Sequence, residues 1–228
     1  MSRFQLFYNS IGKKLLVAAT GLFLILFLVV HLAGNFQLLI PEDQGGKLAF
    51  NEYTAFMTSF PVIKIVSYFT YAAILLHAFL GIFFAVNSKS KRPEGYAYSG
   101  NKNSTWASRN MGVLGTLILA FIVMHLYNFW WKIKFGPIPT MTTENGEILK
   151  DMYTVVISHF KQPLFVILYV VSMAIIGFHL KHGFQSGFQT LGLNHPKYSP
   201  VINSVGIIFS IIIPAGFALI PVYIYFMP

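Results

Sequence analysis

Five long apolar stretches dominate the chain of 228 residues and decide what it can fold into. They run from roughly 15 to 39, 62 to 86, 112 to 131, 163 to 184 and 201 to 225, and a membrane core of ~30 Å needs ~20 apolar residues per helix. Lipid admits only helices and closed barrels, and these stretches lack the alternation of barrel strands. The sequence therefore predicts an all-α integral membrane protein, one membrane domain over 1–228 built as a bundle of five transmembrane helices.

Composition excludes several classes of function. Only 10% of the residues are charged, against ~25% in a typical soluble domain. The absence of cysteine excludes disulfides, cysteine-ligated iron–sulfur clusters and covalently attached c-type haem. No glycine-rich phosphate loop is present, so no flavin or nicotinamide site of the usual kind is expected. The first stretch is too long for a secretory signal and lacks a cleavage pattern, so we interpret it as a retained helix.

The basic residues, which give a net charge of +9, indicate topology rather than nucleic-acid binding. Ten of them fall on the side of the N-terminus and six on the other side, which also holds six of the seven acids. The ten are Arg3, Lys13, Lys14, Lys89, Lys91, Arg92, Lys102, Arg109, Lys181 and Lys197; the acid among them is Glu94. Because Lys and Arg concentrate on the cytoplasmic side, the N-terminus is predicted to be cytoplasmic and the C-terminus to lie outside.

Four consecutive spans each contain a histidine, namely His31, His77, His125 and His179, whereas the fifth has no ionisable side chain and is predicted to serve packing. An ionisable residue within a membrane is a functional hypothesis by default. At ~1.5 Å per residue, His31 and His125 lie at one depth, and His77 and His179 lie ~15 Å nearer the cytoplasm. Two imidazoles at each of two depths suit two bis-histidine haem irons, which would transfer electrons. Structural zinc would need four ligands at one point.

Glycines near these histidines would clear room for a flat macrocycle. Gly81 and Gly183 follow His77 and His179 by four residues, on the same helix face. Gly34 follows His31 by three residues, and Gly21 and Gly115 precede His31 and His125 by ten, which puts them at the inner depth. Ordinary close packing of helices is the alternative explanation, particularly for Gly21 and Gly115.

Five segments together resemble a known family. They are Ser10-Ile-Gly-Lys-Lys-Leu-Leu-Val-Ala-Ala-Thr-Gly-Leu, His31-Leu-Ala-Gly-Asn, Thr105-Trp-Ala-Ser-Arg-Asn-Met, Met124-His-Leu-Tyr-Asn-Phe-Trp and Phe178-His-Leu-Lys-His-Gly-Phe-Gln-Ser. With His77 between them, this ordered set resembles the cytochrome b membrane anchor subunit of succinate:quinone oxidoreductases (succinate dehydrogenase and fumarate reductase), of the single-subunit, five-helix, dihaem type.

The resemblance implies a multi-pass subunit in a bacterial cytoplasmic membrane, acting in the respiratory chain and the tricarboxylic acid cycle. It implies two haem b groups, the inner held by His77 and His179 and the outer by His31 and His125. It also implies a flavoprotein and an iron–sulfur partner on the cytoplasmic face and a quinone substrate, with menaquinone expected. A dimer of the whole complex is one possible assembly. The chain is then part of an enzyme but cannot oxidise succinate alone.

Several site assignments stay open. His182 is an alternative to His179 as ligand; in the family that the chain resembles, this ligand sits four residues before a Gly, which favours His179. The propionates of the inner haem are expected to meet Lys13, Lys14, Arg109, Lys181 and His182, although these cations also fit a topological or lipid-binding role. Glu52 is the candidate base near the quinone, ahead of Glu42 and Asp43, with a solvated loop acid as the alternative. His159 and His195 are interpreted as surface residues.

Two other functions share parts of the pattern. A cytochrome b subunit of another quinone-linked dehydrogenase, such as a hydrogenase or formate dehydrogenase, would also hold two bis-histidine haems. One ligand on each of the first four helices favours the succinate or fumarate type. A transporter with a histidine proton relay would not require two paired depths, and it would be expected to have an acid within a span.

Overall fold

The computed structural model describes residues 9–90 and 105–227, without the side chains of 89 and 90. The topological prediction rests partly on Arg3, Lys89, Lys91, Arg92, Glu94 and Lys102, which lie outside the described residues or side chains. The described residues are mostly helical. We number the helices in chain order as α1 (Ser10–Asn35), α2 (Gly46–Ser59), α3 (Pro61–Ser90), α4 (Trp106–Arg109), α5 (Met111–His125), α6 (Lys132–Phe135), α7 (Met152–Phe160), α8 (Pro163–Thr190) and α9 (Ser199–Phe226).

The prediction of five long apolar helices is confirmed for the described residues. Five helical segments are long and apolar enough to cross a membrane, namely Ser10–Leu39, Pro61–Ser88, Met111–Phe135, Pro163–Thr190 and Ser199–Phe226. The first extends α1 by a 3₁₀ turn over Phe36–Leu39, and the third joins α5 to α6 through a π-helical segment over Leu126–Trp131. The fifth contains Pro214 and Pro221, and both lie buried inside α9.

The connection over 135–160 contains a short two-stranded hairpin and a further helix. Strands β1 (Thr140–Thr142) and β2 (Ile148–Lys150) form an antiparallel hairpin in which Met141 pairs with Leu149. Helix α7 follows at once, and its first turn is capped by the Asp151 carboxylate, which accepts a hydrogen bond from the Thr154 backbone at 3.0 Å. Helix α2 begins at Gly46, because Gly45, with φ of 84°, turns the chain directly before it.

The chain divides into two compact units, and each long helix contributes to both. Unit 1 comprises the described residues of Met1–Phe27, Thr70–Leu119 and Ile175–Ile212. Unit 2 comprises those of Leu28–Phe69, Ala120–Ala174 and Ile213–Pro228. Consequently His77 and His179 belong to unit 1, whereas His31 and His125 belong to unit 2.

A buried polar network ties α2 to α7 within unit 2. The Asp151 carboxylate is 4% exposed and lies 3.0 Å from the Lys47 ammonium. Asn51 is fully buried; its amide donates to Asp151 at 3.0 Å and its carbonyl accepts from the Tyr153 backbone at 2.9 Å. Burial alone raises the pKa of Asp151, but hydrogen bonds from Thr154, Asn51 and Lys47 together hold it below the usual value of 3.8. The start of α7 is therefore part of the folded core of this unit.

Candidate functional site

The first candidate site lies in unit 1, where α3 and α8 bring His77 and His179 together. The centroids of the two imidazole rings are 6.2 Å apart, and the ring planes cross at 74°. The ring that faces His77 is that of His179, which favours His179 over His182 as its partner. His182 is half-buried one turn further along α8.

Helix α1 holds the ring of His77 in one orientation. Nδ1 of His77 lies 3.1 Å from the Val17 carbonyl and 3.2 Å from the Thr20 hydroxyl. A carbonyl can only accept, so Nδ1 carries the proton and Nε2 keeps its lone pair. Gly21 completes this contact, because a methyl group there would lie 3.0 Å from Cε1 of His77. Metal-bound histidines characteristically donate their second nitrogen to such an acceptor.

The second candidate site lies in unit 2, where α1 and α5 bring His31 and His125 together. Their ring centroids are 5.9 Å apart, and the ring planes cross at 87°. Phe217 of α9 packs on His31 at 5.6 Å and Phe121 packs on His125 at 5.8 Å, both measured between ring centroids. The Tyr169 hydroxyl lies 3.4 Å from Nδ1 of His125. These two pairs are the ones that the depth count predicted, while their role as ligands stays a prediction.

Both pairs have the separation that two axial ligands of one metal ion require. An imidazole nitrogen binds a transition metal at ~2.0–2.1 Å and the ring centre lies ~1.1 Å behind it, so two ligands on opposite faces have centroids ~6.2–6.4 Å apart. The observed 6.2 and 5.9 Å agree with this span to within a few tenths of an ångström. In addition, Nδ1 of His179 is buried with no hydrogen-bond partner among the described residues. A redox role is one of the explanations for an unsatisfied buried polar atom.

The glycines separate into two groups when a methyl group is placed on each. Gly81, Gly115 and Gly183, all in unit 1, face open space with no atom within 4 Å. Gly21 instead meets the ring of His77, and Gly34 meets the phenol of Tyr53. The room expected beside Gly34 is therefore filled by α2, while the space beside Gly81, Gly115 and Gly183 is open.

The predicted propionate partners all lie in unit 1 with His77 and His179. Lys13 and Lys14 line a cavity of about 380 Å³ whose walls also include Ser10, Phe83, Phe84, Asn87 and Ser88. The Lys13 ammonium lies 4.4 Å from the ring centre of Phe83. Arg109 ends α4, and Lys181 is exposed on α8. The cavity beside Lys13 and Lys14 can therefore receive a negatively charged group.

Glu52, the predicted quinone-side base, is exposed on α2 in unit 2. Its two neighbours in sequence are oriented differently, since Asn51 is fully buried and Tyr53 packs beside Gly34. The alternative acid Glu42 lies 3.8 Å from Lys47 at an exposed position. Glu52 is therefore an accessible acid in the same unit as His31 and His125. The structure describes no contact between Glu52 and either histidine.

His159 is buried, which corrects its interpretation as a surface residue. Only 6% of it is exposed, its ring centroid is 3.8 Å from that of Phe165, and Nε2 lies 3.1 Å from the buried Asn128 amide. Burial, together with the Lys132 charge, lowers the pKa of His159 to about 4. The buried face of α7 could have been found from the sequence, because its other buried residues recur at helical spacing. They are Met152, Tyr153, Val156 and Phe160. His195, by contrast, is exposed as predicted.

Within the described residues, no group of three or more histidines, aspartates or glutamates gathers where it could hold a metal ion. Each candidate site instead offers two imidazoles. Two imidazoles are the axial set of a bis-histidine haem and half of the set that structural zinc uses. No family model, no curated protein and no solved structure matches the chain.

Proposed function

We propose that this chain is a dihaem cytochrome b subunit that carries electrons between soluble dehydrogenase subunits and a membrane quinone. The observation that carries the proposal is the presence of two pairs of facing imidazoles with centroids 6.2 and 5.9 Å apart. Each pair lies on helices long and apolar enough to cross a membrane. When bound, haem supplies one-electron transfer, and ligation on both faces leaves no place for O₂.

The residues of the chain would hold and orient the two groups. His77 and His179 are the proposed ligands of the inner haem, and His31 and His125 those of the outer haem. Val17 keeps the proton on Nδ1 of His77, which leaves the Nε2 lone pair for the iron. Open space beside Gly81, Gly115 and Gly183 fits the macrocycle of the inner haem. Lys13 and Lys14 would receive its propionates.

The proposed partners follow from charge and from the resemblance to succinate:quinone oxidoreductases. The cation-rich ends of the helices would face the bacterial cytoplasm, where a flavoprotein and an iron–sulfur subunit would dock. Menaquinone is the proposed quinone, and Glu52 the proposed base beside it. The other dehydrogenase classes stay an alternative, because the same two histidine pairs would serve them.

A reduced-minus-oxidised absorption spectrum with haem quantitation on the purified chain tests this proposal. We expect about two low-spin b haems per polypeptide, with His77→Leu and His179→Leu each reducing this to about one. His195→Leu is the matched control, because His195 is exposed and lies outside both pairs. Weakened docking of the soluble subunits is expected in the two ligand variants.

Two results would contradict the proposal in different ways. Folded protein that binds no haem would refute electron transfer and favour the proton-relay transporter. Two haems retained in both His77→Leu and His179→Leu would refute the ligand assignment but leave the cytochrome function standing.

A further inference from the structure

A chain of buried polar groups leads from His125 to α7 within unit 2. The Tyr169 hydroxyl lies 3.4 Å from Nδ1 of His125, at the long end of the hydrogen-bond range. Asn128 hydrogen-bonds Tyr169 and also reaches Nε2 of His159 at 3.1 Å. Tyr169, Asn128 and His159 are only 6 to 7% exposed. Burying polar groups together costs free energy unless each group forms a hydrogen bond with another.

The backbone places Asn128 where it can join this chain. The π-helical segment Leu126–Trp131 starts directly after His125 and widens the turn that carries Asn128. Single π-helical turns inside α-helices occur frequently at functional sites. Phe129, Phe160 and Phe165 surround His159, with ring centroids 3.8 to 5.6 Å from its own. The aromatic rings exclude water, so the hydrogen bonds act in a medium of low polarity.

One assignment of protons makes His125 the donor at the start of this chain. His125 donates from Nδ1 to the Tyr169 oxygen, which also accepts from the Asn128 amide. The Asn128 amide then donates to Nε2 of His159. This direction leaves Nε2 of His125 with a free lone pair, as the Val17 carbonyl does for His77.

We propose that Tyr169, Asn128 and His159 are positioning residues that fix the tautomer and the ring orientation of His125 as an iron ligand. This inference rests on the proposed function, since it assigns a second layer of residues to the outer haem site. A hydrogen bond from Nδ1 makes the imidazole a more basic ligand, which stabilises the oxidised iron. The chain therefore lowers the potential of the outer haem relative to a site without it.

Tyr169→Phe tests the first link because it removes one oxygen and keeps the ring. We expect the midpoint potential of the outer haem to rise and its low-spin ferric electron paramagnetic resonance signal to shift, with the inner haem unchanged. The signal of the outer haem is identified as the one that survives in His77→Leu. Tyr153→Phe is the matched control, since Tyr153 is 2% exposed in the same unit and its hydroxyl has no partner among the described residues.

His159 tests the far end of the chain. His159→Phe removes the acceptor for Asn128, whereas His159→Gln retains a hydrogen-bonding group near the position of Nε2. We expect the potential of the outer haem to shift in the Phe variant and to return toward the wild-type value in the Gln variant. Equal shifts in both would show that His159 acts only through packing and would overturn its positioning role.

The outcomes separate this inference from the proposed function. Two haems with wild-type potentials and signals in Tyr169→Phe would overturn the positioning role while leaving the dihaem assignment intact. A wild-type chain without haem would instead overturn the proposed function. If Tyr169→Phe fails to accumulate, Asn128→Leu, which removes both hydrogen bonds at similar volume, gives the same comparison.

Discussion

Adding a methyl group at Gly183 should have opposite effects on the haem-free and the haem-loaded protein. In the haem-free chain the methyl enters open space, with no atom within 4 Å. Alanine is favoured over glycine in a helix by about 1 kcal/mol, which raises the melting temperature of a chain of this size by roughly 2–4 °C. Gly183→Ala is therefore expected to stabilise the protein when no haem is bound.

In the loaded protein the same methyl would meet the macrocycle. Overpacking by one methyl group costs about 1–3 kcal/mol. The helix-propensity gain is common to both forms and cancels from binding, so the inner haem should bind about 1–3 kcal/mol more weakly, which is roughly 5- to 140-fold. The assay is the rate of haem transfer to an excess of a haem-scavenging acceptor protein, together with melting curves of both forms.

Gly187, one turn further along α8, provides the matched control. A methyl group there would lie 3.3 Å from Leu22, which is a protein contact in both forms. Gly187→Ala should therefore change the melting temperatures of the haem-free and loaded forms by similar amounts. If Gly183→Ala also shifts both forms equally and transfers haem at the wild-type rate, the space beside Gly183 faces lipid and the reasoning is wrong.

Three further predictions concern unit 2. Glu52→Gln should lower quinone turnover and leave both haems bound, whereas unchanged turnover would exclude Glu52 as the base. Asp151→Asn should cost about 1.5–3 kcal/mol of unfolding free energy, because a buried carboxylate with a lowered pKa loses its charged hydrogen bonds. For the same reason, the unfolding free energy of the wild type should fall as the pH drops below 3.8. Calorimetry on both proteins measures the mutational cost and the pH dependence. The pKa of His159 is lowered from 6.5 to about 4, so its contribution to the unfolding free energy should be complete above pH 6.5 and decrease progressively toward pH 4. A His159→Gln variant whose stability has the same pH profile as the wild type would contradict this prediction.

The sequence predicted the membrane helices and the histidine pairs for a simple physical reason. Helices with a fixed rise and a length set by the bilayer convert position in the chain into depth. His31 and His125 could be paired in this way without any knowledge of the helix contacts, and the structure brings their rings to 5.9 Å. Gly81 and Gly183 were chosen because a residue four positions after a histidine shares its helix face, and Gly115 was chosen by depth, ten residues before His125.

The features that were not predicted from the sequence lie between the predicted membrane spans. In these segments, position in the chain does not determine depth in the membrane. Strands of three residues, such as Thr140–Thr142 and Ile148–Lys150, are too short to leave a periodic signal. His159 was assigned to the surface because its segment lies outside the apolar stretches. The space beside Gly34 is filled by Tyr53. A contact between two helices that are separated by turns cannot be inferred by counting residues along the chain.

The distribution of charge between the two units leads to a last prediction about the haem potentials. The described acids, Glu42, Asp43, Glu52, Glu144, Glu147 and Asp151, all belong to unit 2, whereas the charged side chains described in unit 1 are the cations Lys13, Lys14, Arg109, Lys181 and Lys197. Positive charges near an iron disfavour its oxidised, more positive state and so raise its potential. The haem held by His77 and His179 should therefore have the higher midpoint potential, and the difference should narrow in Lys13→Gln. A redox titration in which His77→Leu removes the lower-potential component would show that another influence, such as the hydrogen bonds to Nδ1, outweighs these charges.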